Sequence, residues 1–182
     1  KQIRDPDNHK FATPSGKIEI YSTGLGENPN PFGLGEISAI PKWVPHIETS
    51  EAYPLSMLSA KSRARTHSIH GNQEKLNRVD PDDIWMHPVD AAARGIQHGQ
   101  PVKVMSAYGA TILPVRVTAD IAHGCVSMKE GRWYTPDADG IDREGAANSI
   151  TGDKTAACGA TTYNTAFVEI RPVNPGPAET TH

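Results

Sequence analysis

Apolar and polar residues alternate in several short runs along this chain, and long polar stretches separate the runs. In "SGKIEIYS", Ile18 and Ile20 alternate with Lys17 and Glu19, the period of a half-buried strand, and Gly16 supplies a turn before it. The stretch from Gly24 to Pro45 has neither a helical nor a strand period and is rich in Gly and Pro, which predicts an extended linker. "YPLSMLSA" is a short apolar run suited to a buried strand, and Ile84 to Met86 predicts a second. His87 and Pro88 then start a short helix with Pro at its first position, Asp90 favours the first turn, and Gly95 closes it. "VKVMS" and "TILPVRVT" flank "AYGA" and read as a hairpin, with Pro114 at an edge or a bulge. "CVSMK" and "FVEIR" supply two more strands. Between Glu130 and Asn164 apolar periodicity is weak, and a loop of that length is commonly functional. Short strands, one short helix and long loops predict a mainly β fold, a small β-barrel rather than a βαβ sheet. Residues 1–52 then form an extended arm and linker, 53–172 the barrel domain, and 173–182 a disordered tail ending in "NPGPAETTH".

Composition narrows the function classes. The 182 residues include 15 Pro and 16 Gly, so chain-bending positions are frequent and loops extensive. With 18 basic and 21 acidic side chains the net charge is −3, which gives no global attraction to nucleic acid or to an anionic membrane surface. Two cysteines, Cys125 and Cys158, form no CxxC or CxxH pair, which argues against a cysteine-rich zinc or iron–sulfur site within the chain. No apolar run approaches the ~18 residues of a membrane span, so direct membrane insertion is not expected. The polar start without an initiator Met suggests a fragment or processed product.

Candidate chemistry concentrates in "THSIHGN", Thr66 to Asn72. His67 and His70 could share a metal, but zinc needs a third and usually a fourth ligand, and His9, His46, His87, His98, His123 and His182 make no recognisable set. From Lys61 to Arg78 the chain carries Lys61, Arg63, Arg65, Lys75 and Arg78 against Glu74, a local charge of +4 within a chain of −3. Such a loop can hold pyrophosphate or the polar edge of a heterocycle, or be a solvated basic face. No GxxxxGK[ST] or post-strand GxGxxG motif occurs, so an ordinary mononucleotide or nicotinamide site is not indicated, and no GxSxG elbow points to a serine hydrolase. Trp133 and Tyr134 in "GRWYTPD" either cap a core or stack on a flat ligand. Asn148 and Asn164, in "AANSIT" and "TYNTA", carry amides able to read a heterocycle's donors and acceptors.

Taken in order, "FATPSGKIEIYS", "SRARTHSIHGN", "IWMHPVDAAARGIQHGQPVKVMSAYG", "GRWYTPDADGID", "GAANSIT" and "YNTAFVEI" resemble the carboxy-terminal, molybdopterin-dinucleotide-binding domain of the dimethyl sulfoxide reductase family. The pattern is most similar to the catalytic A subunits of its three-subunit, membrane-associated members. The resemblance covers roughly Phe11 to Pro172 and implies a six-stranded double-psi β-barrel with one or two short helices and long loops. It also implies that Lys61, Arg65, Thr66, His67 and Ser68 belong to one cofactor-facing loop, and Asn148 and Asn164 to another. Related enzymes carry His where Lys61 stands and Gln where Asn164 stands. The implied cofactor is molybdenum bis(molybdopterin guanine dinucleotide), with any iron–sulfur cluster of the parent enzyme outside this chain and no catalytic residue within it. The implied activity is oxygen-atom transfer from S- or N-oxides by a parent oxidoreductase, the isolated chain being inactive. The implied partners are the remaining domains of that catalytic subunit, an iron–sulfur electron-transfer subunit and a membrane anchor subunit, in the bacterial cell envelope. Two alternatives stand beside this: the same domain from a selenate, tetrathionate or related reductase, and a free-standing barrel that binds proteins. Without their ligand, the loops Lys61–Asn72 and Glu130–Asn164 are expected to be mobile, because nothing would satisfy their donors.

Overall fold

A computed structural model describes residues 1–43 and 50–173, so all but the first residue of the expected tail 173–182, His46 and the end of the expected linker lie outside the described residues. The chain divides into two units, Lys1–Pro45 with Lys154–Thr161, and His46–Asp153 with Thr162–His182. The boundary between them falls at Pro45 and His46, whereas the sequence placed the end of the arm at residue 52, and residues 154–161 group with the first unit.

The first unit departs from two expectations. Residues 16–22 form no strand, and Ile18 and Ile20 are exposed. A two-residue alternation cannot make a strand unless a neighbouring chain meets its backbone N–H and C=O groups. The predicted linker also contains a helix, α1 (Thr23–Glu27), whose first turn is capped by the Ser22 hydroxyl accepting the Leu25 N–H at 3.4 Å.

The second unit is a closed barrel of six strands: β1 (Leu55–Ala60), β2 (Ile84–Met86), β3 (Pro101–Met105), β4 (Ala110–Val117), β5 (Cys125–Lys129) and β6 (Ala166–Pro172). Each sequence-predicted strand of this unit is present. The order around the barrel is β1-β5-β2-β4-β3-β6. β1 with β5 and β2 with β4 are parallel, and the other four pairs are antiparallel, the mixed arrangement of the double-psi type. Alternate residues point inward and build one core: Leu55 and Met57, Ile84 and Met86, Val102 and Val104, Leu113 and Val115, Val126 and Met128, Val168 and Ile170. Burying each such side chain contributes roughly 1.5–3 kcal/mol, so the period-two pattern both marks the strands and closes the barrel.

Although the barrel is closed, Pro114 lies at a local edge, paired with β3 alone. It stands opposite Pro101 at the end of the β3–β4 ladder and just before the β2–β4 register begins at Ile84 and Val115. Two residues lacking an N–H face each other where no bond is required of them. The helix α3 (Pro88–Ala92) forms as predicted, with His87 Nδ1 accepting the Val89 N–H at 3.2 Å and Gly95 at φ +64°. α2 (Glu74–Val79) was not predicted. Its N-cap, Gln73, makes no side-chain cap bond, and none of its residues is buried, so neither punctuation nor period marks it.

Strand directions determine which loops share an end of the barrel. Because β1 and β5 run parallel and β6 antiparallel to β1, the exits of β1 and β5 and the start of β6 lie on one rim. β3 and β2 oppose β6 and β5, respectively, which brings the β3–β4 turn and the start of β2 to that same rim. The rim therefore carries residues 61–83, 106–109, 130–153 and 162–165.

Candidate functional site

All seven positions singled out in the sequence lie in the rim segments, and they divide by what their side chains do. His67, at φ +52°, stands with its ring mostly exposed and its Nδ1 3.1 Å from Glu130 Oε1. Lys61 Nζ reaches the same oxygen at 2.5 Å, also from an exposed position. Thr66 and Ser68 flank His67 and are exposed, in a tight turn closed by the Ile69 N–H donating to the Thr66 carbonyl at 3.0 Å. His70, at φ +71°, completes the turn.

Arg65 behaves otherwise. Its side chain is 1 % exposed and is held by Asp82, with Nη1 donating to Oδ2 at 2.8 Å and Nη2 2.7 Å from Oδ1. Nη2 also approaches the Glu130 carbonyl at 3.4 Å, and Nε has no partner. Arg132 extends the same cluster, with Nε 3.3 Å from Asp82 Oδ2, Nη1 donating to the Gly71 carbonyl at 2.9 Å, and Nη2 paired with Glu144. The local charge of +4, which already counts Glu74, is halved by carboxylates outside its window: Asp82 and Glu130 take Arg65 and Lys61, while Arg78 pairs with Glu74 inside it. Among the described residues, Arg63 and Lys75 form no ion pair. Part of the first loop's donor set is thus met within the protein, through Asp82 and Glu130, while Arg65 Nε is left without a partner.

The two long connections touch at Gly131. A Cβ there would stand 2.1 Å from the His67 carbonyl oxygen, and the residue sits at φ +90°, so only glycine allows the His67 turn to lie against the exit of β5.

Asn148 lies on the 3-10 helix Ala147–Ser149 and lines a cleft of about 390 Å³ with Tyr108, Gly109, Ala110, Tyr134, Gly140 and Ser149. Tyr108 and Tyr134 are about half exposed, as is Trp133, so none of the three caps the core. The helix packs closely on the β3–β4 turn, where a Cβ on Gly109 would meet the Ser149 carbonyl oxygen at 2.4 Å. Asn164 does not line this cleft. Its Oδ1 accepts the Ser59 N–H at 2.8 Å, continuing the β1–β6 pairing beyond its last pair, Met57 and Ala166.

Sequence reading missed Tyr108, Glu130, Arg132 and Asp142. Asp142 is wholly buried and accepts from the Thr111 hydroxyl at 2.6 Å and from the Thr135 and Ala146 N–H groups at 2.9 and 2.7 Å. Burial acts to raise its carboxyl pKa. The Thr111 hydroxyl and the Thr135, Ala146 and Glu144 N–H groups outweigh it, leaving the pKa below the usual carboxylate value. One signal was available: Thr111 is a hydroxyl at an inward position of β4, which requires a buried partner.

Among the described residues no group of three His, Cys, Asp or Glu side chains is placed to hold a metal ion. No helix among them is long and apolar enough to cross a membrane.

Residues 55–167 match the family model described as "Molydopterin dinucleotide binding domain". The chain is 38% identical over 160 residues to the dimethyl sulfoxide reductase DmsA of Haemophilus influenzae, an alignment covering 83% of this chain and 20% of that protein. It is 32% identical over 186 residues to trimethylamine-N-oxide reductase 1 of Escherichia coli O6:H1, covering 93% of this chain and 22% of that one. The chain thus spans about a fifth of the length of these relatives. Among solved structures, acetylene hydratase from Pelobacter acetylenicus shares the fold, with a TM-score of 0.68 at 18% identity over 92% of this chain and 25% of that chain. The barrel, the rim loops and the match across residues 55–167 make this chain a member of the molybdopterin dinucleotide-binding domain family, of the kind found in the dimethyl sulfoxide reductases.

Proposed function

We propose that this chain is the cofactor-binding domain of a molybdenum bis(molybdopterin guanine dinucleotide) oxidoreductase that reduces S- or N-oxides such as dimethyl sulfoxide. The observation that carries this reading is the convergence of the 61–72 loop and the Asn148 cleft on one rim of a barrel whose family binds a molybdopterin dinucleotide. The exposed donor set fits such a group. Imidazole, hydroxyl and amide groups of His67, Thr66, Ser68 and Asn148 stand in the same rim as two half-exposed tyrosines, a chemistry suited to a flat, hydrogen-bonding ring system. The names of the relatives, dimethyl sulfoxide and trimethylamine-N-oxide reductases, point to the substrate class.

The bound cofactor supplies oxygen-atom transfer coupled to two-electron redox chemistry, and the protein orients and tunes it. In this reading His67, Thr66, Ser68 and Asn148 hydrogen-bond the pterin system directly. Lys61 adds positive charge beside it. Arg65 and Asn164 act from behind: Arg65 fixes the loop through Asp82 and the Glu130 carbonyl, and Asn164 fixes the end of β1. The chain works with the remaining domains of its catalytic subunit, with an iron–sulfur electron-transfer subunit and a membrane anchor, at the bacterial cell envelope.

The test uses the full-length catalytic subunit. Purified protein is assayed for molybdenum and guanine nucleotide and for reduction of dimethyl sulfoxide and trimethylamine N-oxide. Wild type is expected to carry the cofactor and reduce at least one of the two oxides. A His67→Ala, Asn148→Ala double variant is expected to retain about tenfold less cofactor, the effect of two lost hydrogen bonds. Full retention by the double variant, or a wild-type subunit free of molybdenum, rejects the reading.

A further inference from the structure

We infer that Asp142 is the positioning residue of the Asn148 cleft, a single carboxylate that holds three of its walls in register for the cofactor. The inference rests on the function proposed above and adds a residue to it.

Three observations carry it. First, Asp142 Oδ1 takes the Thr135 N–H, fixing the backbone immediately after the Tyr134 wall. Second, Oδ2 takes the Ala146 N–H, two residues before Asn148, so the same side chain fixes the start of the 3-10 helix that presents Asn148 and Ser149. Third, the Asp142 backbone is clipped to the barrel wall. Its N–H donates to the Ala110 carbonyl at 3.1 Å and its carbonyl accepts the Ile112 N–H at 2.9 Å, while the Thr111 hydroxyl between them donates to Oδ2. Ala110, Tyr134 and Asn148 all line the cleft, so two local segments, before and after Asp142, and a distant one on β4 reach it through one residue.

The chemistry requires a carboxylate. Both oxygens accept, and every partner is a donor. An amide of the same shape has one accepting oxygen and one NH₂ group, so in either orientation its NH₂ would face a donor and release one of the two walls.

The experiment compares Asp142→Asn with Asp90→Asn in the full-length, cofactor-loaded subunit. Asp90 is also buried and accepts a backbone N–H, that of Gly124 at 2.8 Å, but it belongs to the opposite end of the barrel. Two readouts are taken: the thermal midpoint, and the rate at which molybdenum and guanine nucleotide are lost from the protein on dilution. Both variants are expected to melt earlier than wild type. Only Asp142→Asn is expected to lose cofactor faster, by about tenfold, the equivalent of one charged hydrogen bond. If Asp142→Asn does not fold, Thr111→Val keeps the carboxylate, removes one donor and is expected to lose cofactor several-fold faster than wild type. Wild-type retention by Asp142→Asn, equal loss by Asp90→Asn, or unchanged retention by Thr111→Val as the fallback overturns the inference. A wild-type subunit without molybdenum removes the function it rests on, a different failure from a loaded wild type that Asp142→Asn matches.

Discussion

Two cations four residues apart, Lys61 and Arg65, have different physical roles. Lys61 meets Glu130 from solvent, where an ion pair is worth about 0–1 kcal/mol. Arg65 is buried against Asp82, and removing it would leave that carboxylate with the Arg132 Nε contact at 3.3 Å and an emptied buried position. Arg65→Ala is therefore expected to lower unfolding free energy by about 1–3 kcal/mol, and Lys61→Ala by less than about 1 kcal/mol, in urea titrations. Equal effects would mean that the Arg65–Asp82 pair is open to water. The residue types and their clustering were legible in the sequence, but their burial was not. Asp82 and Glu130 lie outside the basic window, and only the barrel register brings Glu130 beside Lys61, since β1 and β5 are parallel and Ala60 stands opposite Lys129.

At the scale of elements, strands with an inward apolar alternation were readable because burial imposes their period. The hairpin and α3 were readable because Pro and Gly punctuate them. "SGKIEIYS" carried the same alternation without becoming a strand, since pairing needs a neighbour that no local pattern announces. Asn164 shows the reverse case, a loop residue completing a sheet. Its side chain takes the Ser59 N–H where the backbone ladder has stopped. Asn164→Ala should destabilise the barrel by about 1–2 kcal/mol by stranding that N–H, whereas Asn164→Asp, which keeps an acceptor, should recover most of the loss. Amide exchange at Ser59 reads this directly: fast exchange in the alanine variant and protection in the aspartate variant are expected.

For the whole molecule, acid sensitivity follows from carboxylates held below their ordinary pKa. At Asp80, burial raises the pKa, but the Ser62 hydroxyl, the Arg63 N–H and Lys129 together lower it further; Asp142 is lowered in the same sense by the donors described above. A depressed folded-state pKa gives stability that is fully present above the unfolded value, about 4, and is lost as pH falls through the folded value. The urea midpoint is therefore expected to be flat from neutral pH to about 5 and to drop below 4. Asp142→Asn should start lower and fall less steeply in that acid range. A parallel fall in variant and wild type would assign the acid loss to other groups.

The crossing at Gly131 also bears on how the rim can vary among related proteins. Since the backbone of the His67 turn rests against the exit of β5 with no room for a methyl group, the two connections form one interlocked surface. A graft that imports a foreign 61–72 loop must therefore bring its own 130–132 segment with it. A redesign of one connection alone would meet a steric veto from the other.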